Sequence, residues 1–244
     1  MRNTVNILGI PVDNVTMHGA VDIVKTFLSE TRLHTIYTPN AEIMMAAQRS
    51  PDLKGILQKA DLLVADGAGV VLASKILGVS LPERVAGFDL TKNIFCAAKD
   101  TKIKCFLFGG KPGVAEAAGK NILNDYKGVE IVGCRDGYFS KSDEKNIIAQ
   151  INNSDADILL VALGAPKQEM WMHEHKNELK VRVCIGVGGS FDVFAGVVKR
   201  APEFFQKHSL EWLYRLYKEP WRFMRMLDLP RFVLLALRAR VIGR

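Results

Sequence analysis

Seven short runs rich in Val, Ile and Leu recur along the chain, near residues 4–9, 34–38, 61–65, 102–108, 129–134, 157–163 and 181–187, with amphipathic segments between them. Such alternation is what βαβ units and a parallel sheet produce. The expected fold is therefore α/β: a Rossmann-like, mostly parallel sheet with helices on both faces, plus a C-terminal helical appendage. Helices are expected from Asn40 ("NAEIMMAAQR"), from Asp89 as N-cap ("DLTKNIFCAAK"), and behind Pro112 and Pro166 at first helical positions. The 244 residues suit one large domain with an appendage. The expected boundary separates a core over 1–200 from a tail over 201–244.

Polar residues and glycines follow the strands at one end. Thr38 and Asn40 follow the second run, Asp66 and Gly67 the third, Gly109 and Gly110 the fourth, Gly164 and Gln168 the sixth, and Gly188, Gly189 and Ser190 the seventh. Ligands of open α/β sheets bind outside the carboxyl ends of the strands, so these residues are expected to share one crevice.

Within that set, "LLVADGAGVV" places one carboxylate, Asp66, between an apolar run and two glycines. It reads either as the N-cap of a helix starting near Ala68 or as a general base, made more basic by its apolar neighbours Val64 and Ala65. Spacing leaves both open. A dinucleotide fingerprint is disfavoured, because Leu72 stands where the third glycine of G-x-G-x-x-G belongs. The clusters "FGGKPG" and "GVGGS" suit turns that cradle phosphate, or ordinary strand-to-helix turns. Asp192 is a further candidate partner for a nucleotide there.

No metal site is expected. Asp155 and Asp157 precede their strand and so lie at the edge away from the crevice, while His173 and His175 are two apart on a helix. The cysteines at 96, 105, 134 and 184 show no C-x-x-C and read as reduced thiols of a cytosolic protein. The first residues lack the features of a secretory signal, and no run reaches the roughly 18 apolar residues of a spanning helix.

The tail differs from the rest. Residues 201–244 carry nine Lys and Arg against four acids, with eight of the twenty aromatics. Short basic helices bearing Trp, Phe and Leu suit a membrane surface, with Phe232, Leu234 and Leu235 expected to find burial only against lipid; packing of the last helix on the core is the alternative. Nucleic acid is disfavoured by the apolar content of "FVLLALRARVI".

Taken together, "TPNAEIMMAA", "ADGAGVVLASKILG", "ERVAGFDL", "FLFGGKPGVAEAA", "LGAPKQEMWM", "GVGGSFDVFAG" and "KRAP…LEWLYRL…EPWRFMR" resemble the TagA/WecG/CpsF glycosyltransferases, glycosyltransferase family 26, over about residues 4 to 226. The resemblance implies an inverting enzyme without metal or cofactor. It would move N-acetylmannosamine from a UDP-sugar donor to an undecaprenyl-diphosphate-linked N-acetylglucosamine, making the β-1,4-linked disaccharide on which wall teichoic acid is built. It also implies Asp66 as the base, Thr38, Asn40, Arg84 and Gln168 as substrate-pocket residues, and Arg215, Arg222 and Arg225 as tail arginines that complete the site. On an uninterrupted helix those three would fall within about 80° of one face. Gly109, Gly110, Gly188, Gly189 and Asp192 are the nucleotide candidates. The expected location is cytoplasmic, peripheral on the inner membrane face. The alternatives are a uronic acid or other hexose donor, or a noncatalytic sugar-nucleotide or lipid-binding module; a homo-oligomer is left open.

Overall fold

In the computed structural model, residues 2–207, 210–218, 220 and 223–243 are described, apart from the side chains of Lys207 and Arg215. The chain opens with strands β1 (Thr4–Ile7) and β2 (Ile10–Asp13), then helix α1 (Met17–Ser29), β3 (His34–Tyr37), α2 (Ala41–Arg49), α3 (Pro51–Gln58), β4 (Leu62–Leu63), α4 (Ala68–Ile76) and α5 (Gly87–Ala97). There follow β5 (Ile103–Gly109), α6 (Val114–Asp125), β6 (Val129–Arg135), α7 (Glu144–Asn153), β7 (Ile158–Ala162), α8 (Lys167–Glu174), β8 (Val183–Gly186) and α9 (Ser190–Phe194). Among the described residues the tail holds α10 (Glu203–Lys207), α11 (Glu211–Lys218), α12 (Phe223–Met226) and α13 (Asp228–Ile242).

Six strands form one sheet in the order β4-β3-β8-β7-β5-β6, and every neighbouring pair is parallel. Alternate residues of the central strands feed opposite cores. Leu159 and Val161 join one apolar cluster and Ile158 and Leu160 the other; Phe106 and Phe108 are likewise separated from Cys105 and Leu107. This period-two division is why the strands read as continuous apolar runs: both faces are covered by helices.

The first predicted strand lies outside this sheet. β1 pairs antiparallel with β2 through the two-residue turn Leu8–Gly9, whose φ angles are 54° and 84°. Positive φ at both positions suits a tight hairpin. Pro11 inside β2 cannot donate to a ladder, which confines this ribbon to an edge.

Three helix starts depart from expectation. α5 begins at Gly87, so Asp89 lies in its first turn rather than at its cap. Gly113 caps α6, leaving Pro112 outside it, and Pro166 occupies the cap position of α8. In sequence order α11 and α12 are separate, as consecutive short helices divided near Pro220 would be, while Arg222 lies outside the described residues. The tail also differs. α13 packs on α2 and α4, and its Phe232 and Ala236 are fully buried in the same cluster as Leu159. Phe232 thus finds burial against protein, while Leu234 on the same helix stays exposed.

Candidate active site

All six parallel strands end at one edge, where two cavities lie side by side. The first, about 590 Å³, is lined by Thr38, Asn40, Asp66, Gln168, Arg200 and Arg225 among others. The second, about 850 Å³, is lined by residues including Gly110, Lys111, Tyr138, Lys167 and Asp192. Gly164, Gly188 and Gly189 line both, so the turns after β7 and β8 join the two into a bipartite crevice.

Asp66 is set by the chain leaving β4. Its backbone N–H donates to the Pro39 carbonyl at 3.1 Å, which brings it beside Thr38 and Asn40. Its Oδ2 accepts from the Gly87 N–H at 3.3 Å. Gly87 opens α5, whose own cap residue, Ala86, has no side-chain acceptor, so Asp66 serves one of the unpaired amides of a helix start. It does not cap α4: Gly67 holds that position with φ 100° and no side-chain cap bond.

The neighbours are locked by close packing. Thr38 Oγ1 donates to the Gly186 carbonyl at 3.2 Å, and a Cβ on Gly87 would lie 2.8 Å from that hydroxyl. Buried Gln168 accepts from the Gly188 N–H at 3.0 Å and donates to Glu169 Oε1 at 2.9 Å. A Cβ on Gly186 would meet Gln168 Nε2 at 2.8 Å. A side chain at 87 would crowd Thr38 and one at 186 would press on the end of Gln168, so the two glycines leave these side chains their room. Burial pushes the Glu169 carboxyl above the ordinary range, its hydrogen bond from Gln168 working against the shift. Asn40 caps α2, accepting from the Ile43 N–H at 3.0 Å, while lining the first cavity.

The remaining predicted residues divide. Gly110 and Asp192 line the second cavity, and Arg225 lines the first, 4.0 Å from Glu42. Gly109 is in neither wall; at φ 128° it lies against Ala162, where a Cβ would come within 2.4 Å of backbone. Arg84 lines neither cavity and is paired with Glu211 and, at 3.4 Å, with Asp89. Arg222 lies outside the described residues, as does the side chain of Arg215.

Two residues that sequence reasoning did not single out, Arg200 and Glu211, stand in the wall with Asp66. Arg200 donates to both oxygens of Asp89, at 2.6 and 2.7 Å, and through Nε to Glu211 at 3.3 Å. Burial works against its charge, but the Asp89 hydrogen bonds and the two carboxylates outweigh it and raise its pKa. Arg200 falls within the "KRAP" block, whose basic residues before a proline were the available signal.

Asp155 and Asp157 sit at the opposite edge. Asp155 pairs with Lys104 at 2.7 Å; Asp157 pairs with Arg182 at 2.6 Å and accepts from the Lys104 N–H at 2.9 Å. Among the described residues, no group of three or more His, Cys, Asp or Glu is placed to hold a metal ion.

Residues 5–244 match the glycosyl transferase WecG/TagA/CpsF family. Three relatives each bear the name N-acetylglucosaminyldiphosphoundecaprenol N-acetyl-beta-D-mannosaminyltransferase. That of Bacillus spizizenii is 39% identical over 85% of this chain and 80% of its own length. The Bacillus subtilis protein is 36% identical over 96% and 91%, and that of Staphylococcus aureus 35% over 94% and 90%. With a match over nearly the whole chain and a crevice at the carboxyl edge of a parallel sheet, the chain belongs to the WecG/TagA/CpsF family of glycosyl transferases.

Proposed function

We propose that this chain transfers N-acetylmannosamine from UDP-N-acetylmannosamine to undecaprenyl-diphosphate-linked N-acetylglucosamine, with inversion and without a metal, in building the wall teichoic acid linkage unit. The names of the three relatives support the acceptor and the sugar. The observation that carries the chemistry is Asp66: a carboxylate in the cavity wall, with one oxygen fixed by the Gly87 amide. A single displacement needs one base to take the proton from the attacking hydroxyl, and Asp66 fills that role.

Charge develops on the departing UDP, and arginine answers it with planar, permanently charged donors. Arg200 and Arg225 stand in the same wall as Asp66. The glycine turns at Gly110 and Gly188–Gly189 give the nucleotide a place in the second cavity, beside the sugar site in the first. Thr38, Asn40 and Gln168 hold the sugars.

A lipid-linked acceptor also requires a surface that meets the bilayer. No described helix is long and apolar enough to cross a membrane. The tail instead exposes Tyr217, Met224, Leu234, Val241 and Ile242. Arg225, Arg231, Arg238 and Arg240 lie among them in sequence. That mixture supports peripheral docking on an anionic, cytoplasmic membrane face. The test is UDP release on mixing the donor with a short-chain lipid-diphosphate acceptor; binding of both without turnover would leave a noncatalytic module.

A further inference from the structure

Two arginines converge on one carboxylate at the edge of the crevice. Glu211, the first residue of α11, gives one oxygen to Arg84 Nη1 and the other to Arg200 Nε, the latter at 3.3 Å. On the far side Asp89 holds Arg200 through Nη1 and Nη2, at 2.6 and 2.7 Å. Arg84 and Arg200 are only 20% and 25% exposed, so water screens the cluster weakly. Arg84 lies between α4 and α5, Asp89 within α5 and Arg200 after α9, whereas Glu211 comes from the tail.

A carboxylate with one oxygen on each of two guanidiniums occupies the positions that two oxygens of a phosphoryl group take at an arginine pair. We propose that Arg84 and Arg200 form a diphosphate-binding fork, that Glu211 is its resident occupant, and that a substrate diphosphate binds there by displacing that carboxylate. The proposal rests on the reading above, in which the substrates carry diphosphates.

Attraction at the two arginines favours the exchange. The cluster is neutral as it stands, two guanidiniums against two carboxylates. Asp89 gives both its oxygens to Arg200, Oδ2 also meeting Arg84 Nη2 at 3.4 Å, and so fixes the direction of the Arg200 guanidinium, leaving Nε turned toward Glu211. Replacing the single charge of Glu211 by the greater charge of a diphosphate strengthens the attraction at both arginines. Placement favours it too. α11 packs mainly on its neighbours α10 and α12 and leaves Trp212, Leu213 and Tyr217 exposed, and Glu211 is one residue tying it to the α/β body. The diphosphate that enters the fork would therefore loosen α11 from the body, coupling the tail to occupancy of the crevice.

Both the nucleotide donor and the lipid-linked acceptor bear a diphosphate, and binding measurements on the full chain separate them. Affinities for inorganic pyrophosphate, UDP and uridine are measured by calorimetry for the unmodified protein, Glu211→Gln and Arg200→Gln. Glu211→Gln is expected to tighten pyrophosphate several-fold. Arg200→Gln is expected to weaken it by about tenfold, the loss of one charge-assisted hydrogen bond. Uridine affinity is expected to stay fixed in both. A parallel change in UDP affinity assigns the fork to the donor; unchanged UDP affinity with a shifted KM for a short-chain lipid-diphosphate acceptor assigns it to the acceptor.

Pyrophosphate affinity unchanged in Glu211→Gln overturns the fork, and that variant decides alone should Arg200→Gln not fold. Uridine and pyrophosphate weakening together would also overturn it, as general damage to the crevice. Because pyrophosphate binding involves no turnover, a fork that behaves as expected in a protein without transferase activity would reject the enzymatic reading alone.

Discussion

The Asp66 carboxylate meets the Gly87 amide at 3.3 Å, so a residue just past β4 serves the start of α5, 21 positions along the chain. Asn at position 66 keeps an oxygen that can accept this bond but cannot take a proton. Asp66→Asn is therefore expected to lower kcat by about 10²- to 10⁴-fold, the usual contribution of a general base. UDP affinity and Tm should change little. A lowered Tm with kcat intact would reduce Asp66 to a helix-start partner.

Glu169 gives stability a pH dependence of known sign. Its carboxyl is raised by burial above the ordinary 4.5, so the folded protein keeps this proton to higher pH than the unfolded chain. Its contribution is complete below that ordinary value and is lost as pH rises through the folded value. Glu169→Gln retains an oxygen for the Gln168 hydrogen bond and does not titrate. The variant should lose less Tm than the unmodified protein as pH rises from 4.5 through neutrality. Parallel Tm curves would show that Glu169 does not titrate differently in the fold.

Two residues of α13 separate protein packing from lipid docking. Phe232 is 0% exposed and Leu234 is 65% exposed. Phe232→Ala should cost about 3–5 kcal/mol in urea denaturation, as expected for a buried aromatic, whereas Leu234→Ala should fall within about 0.5 kcal/mol. Equal small effects would mean that α13 is not part of the folded body.

The exposed apolar residues carry the complementary expectation. Leu234→Glu together with Val241→Glu should weaken sedimentation with anionic vesicles while leaving Tm unchanged, and raised salt should weaken binding of the unmodified protein. Undiminished vesicle binding by the double variant would place the docking surface elsewhere.

The strands and the crevice were legible because glycines and polar residues follow apolar runs directly, and that local order marks a strand's carboxyl end. Thr38, Asn40, Asp66, Gln168, Gly188 and Gly189 meet in one cavity wall for this reason. β2 was hidden by Pro11. The start of α5 was hidden because the acceptor it uses is the distant Asp66. The ring of Arg84, Asp89, Arg200 and Glu211 joins positions up to 127 apart, which no local spacing announces. Phe232 shows a different gap: an apolar residue on a basic helix looks the same whether it faces protein or lipid, and only the packing of α13 on α2 and α4 distinguishes them.

The central claim is tested most directly by incubating the protein and its Asp66→Asn variant with UDP-N-acetylmannosamine and a short-chain lipid-diphosphate N-acetylglucosamine, then measuring released UDP and the mass of the lipid product. The unmodified protein should release UDP in step with appearance of a lipid-linked disaccharide, in the presence or absence of a chelator, and the variant should show almost none. No disaccharide from the unmodified protein, or equal yields from both, would contradict a glycosyl transfer driven by Asp66.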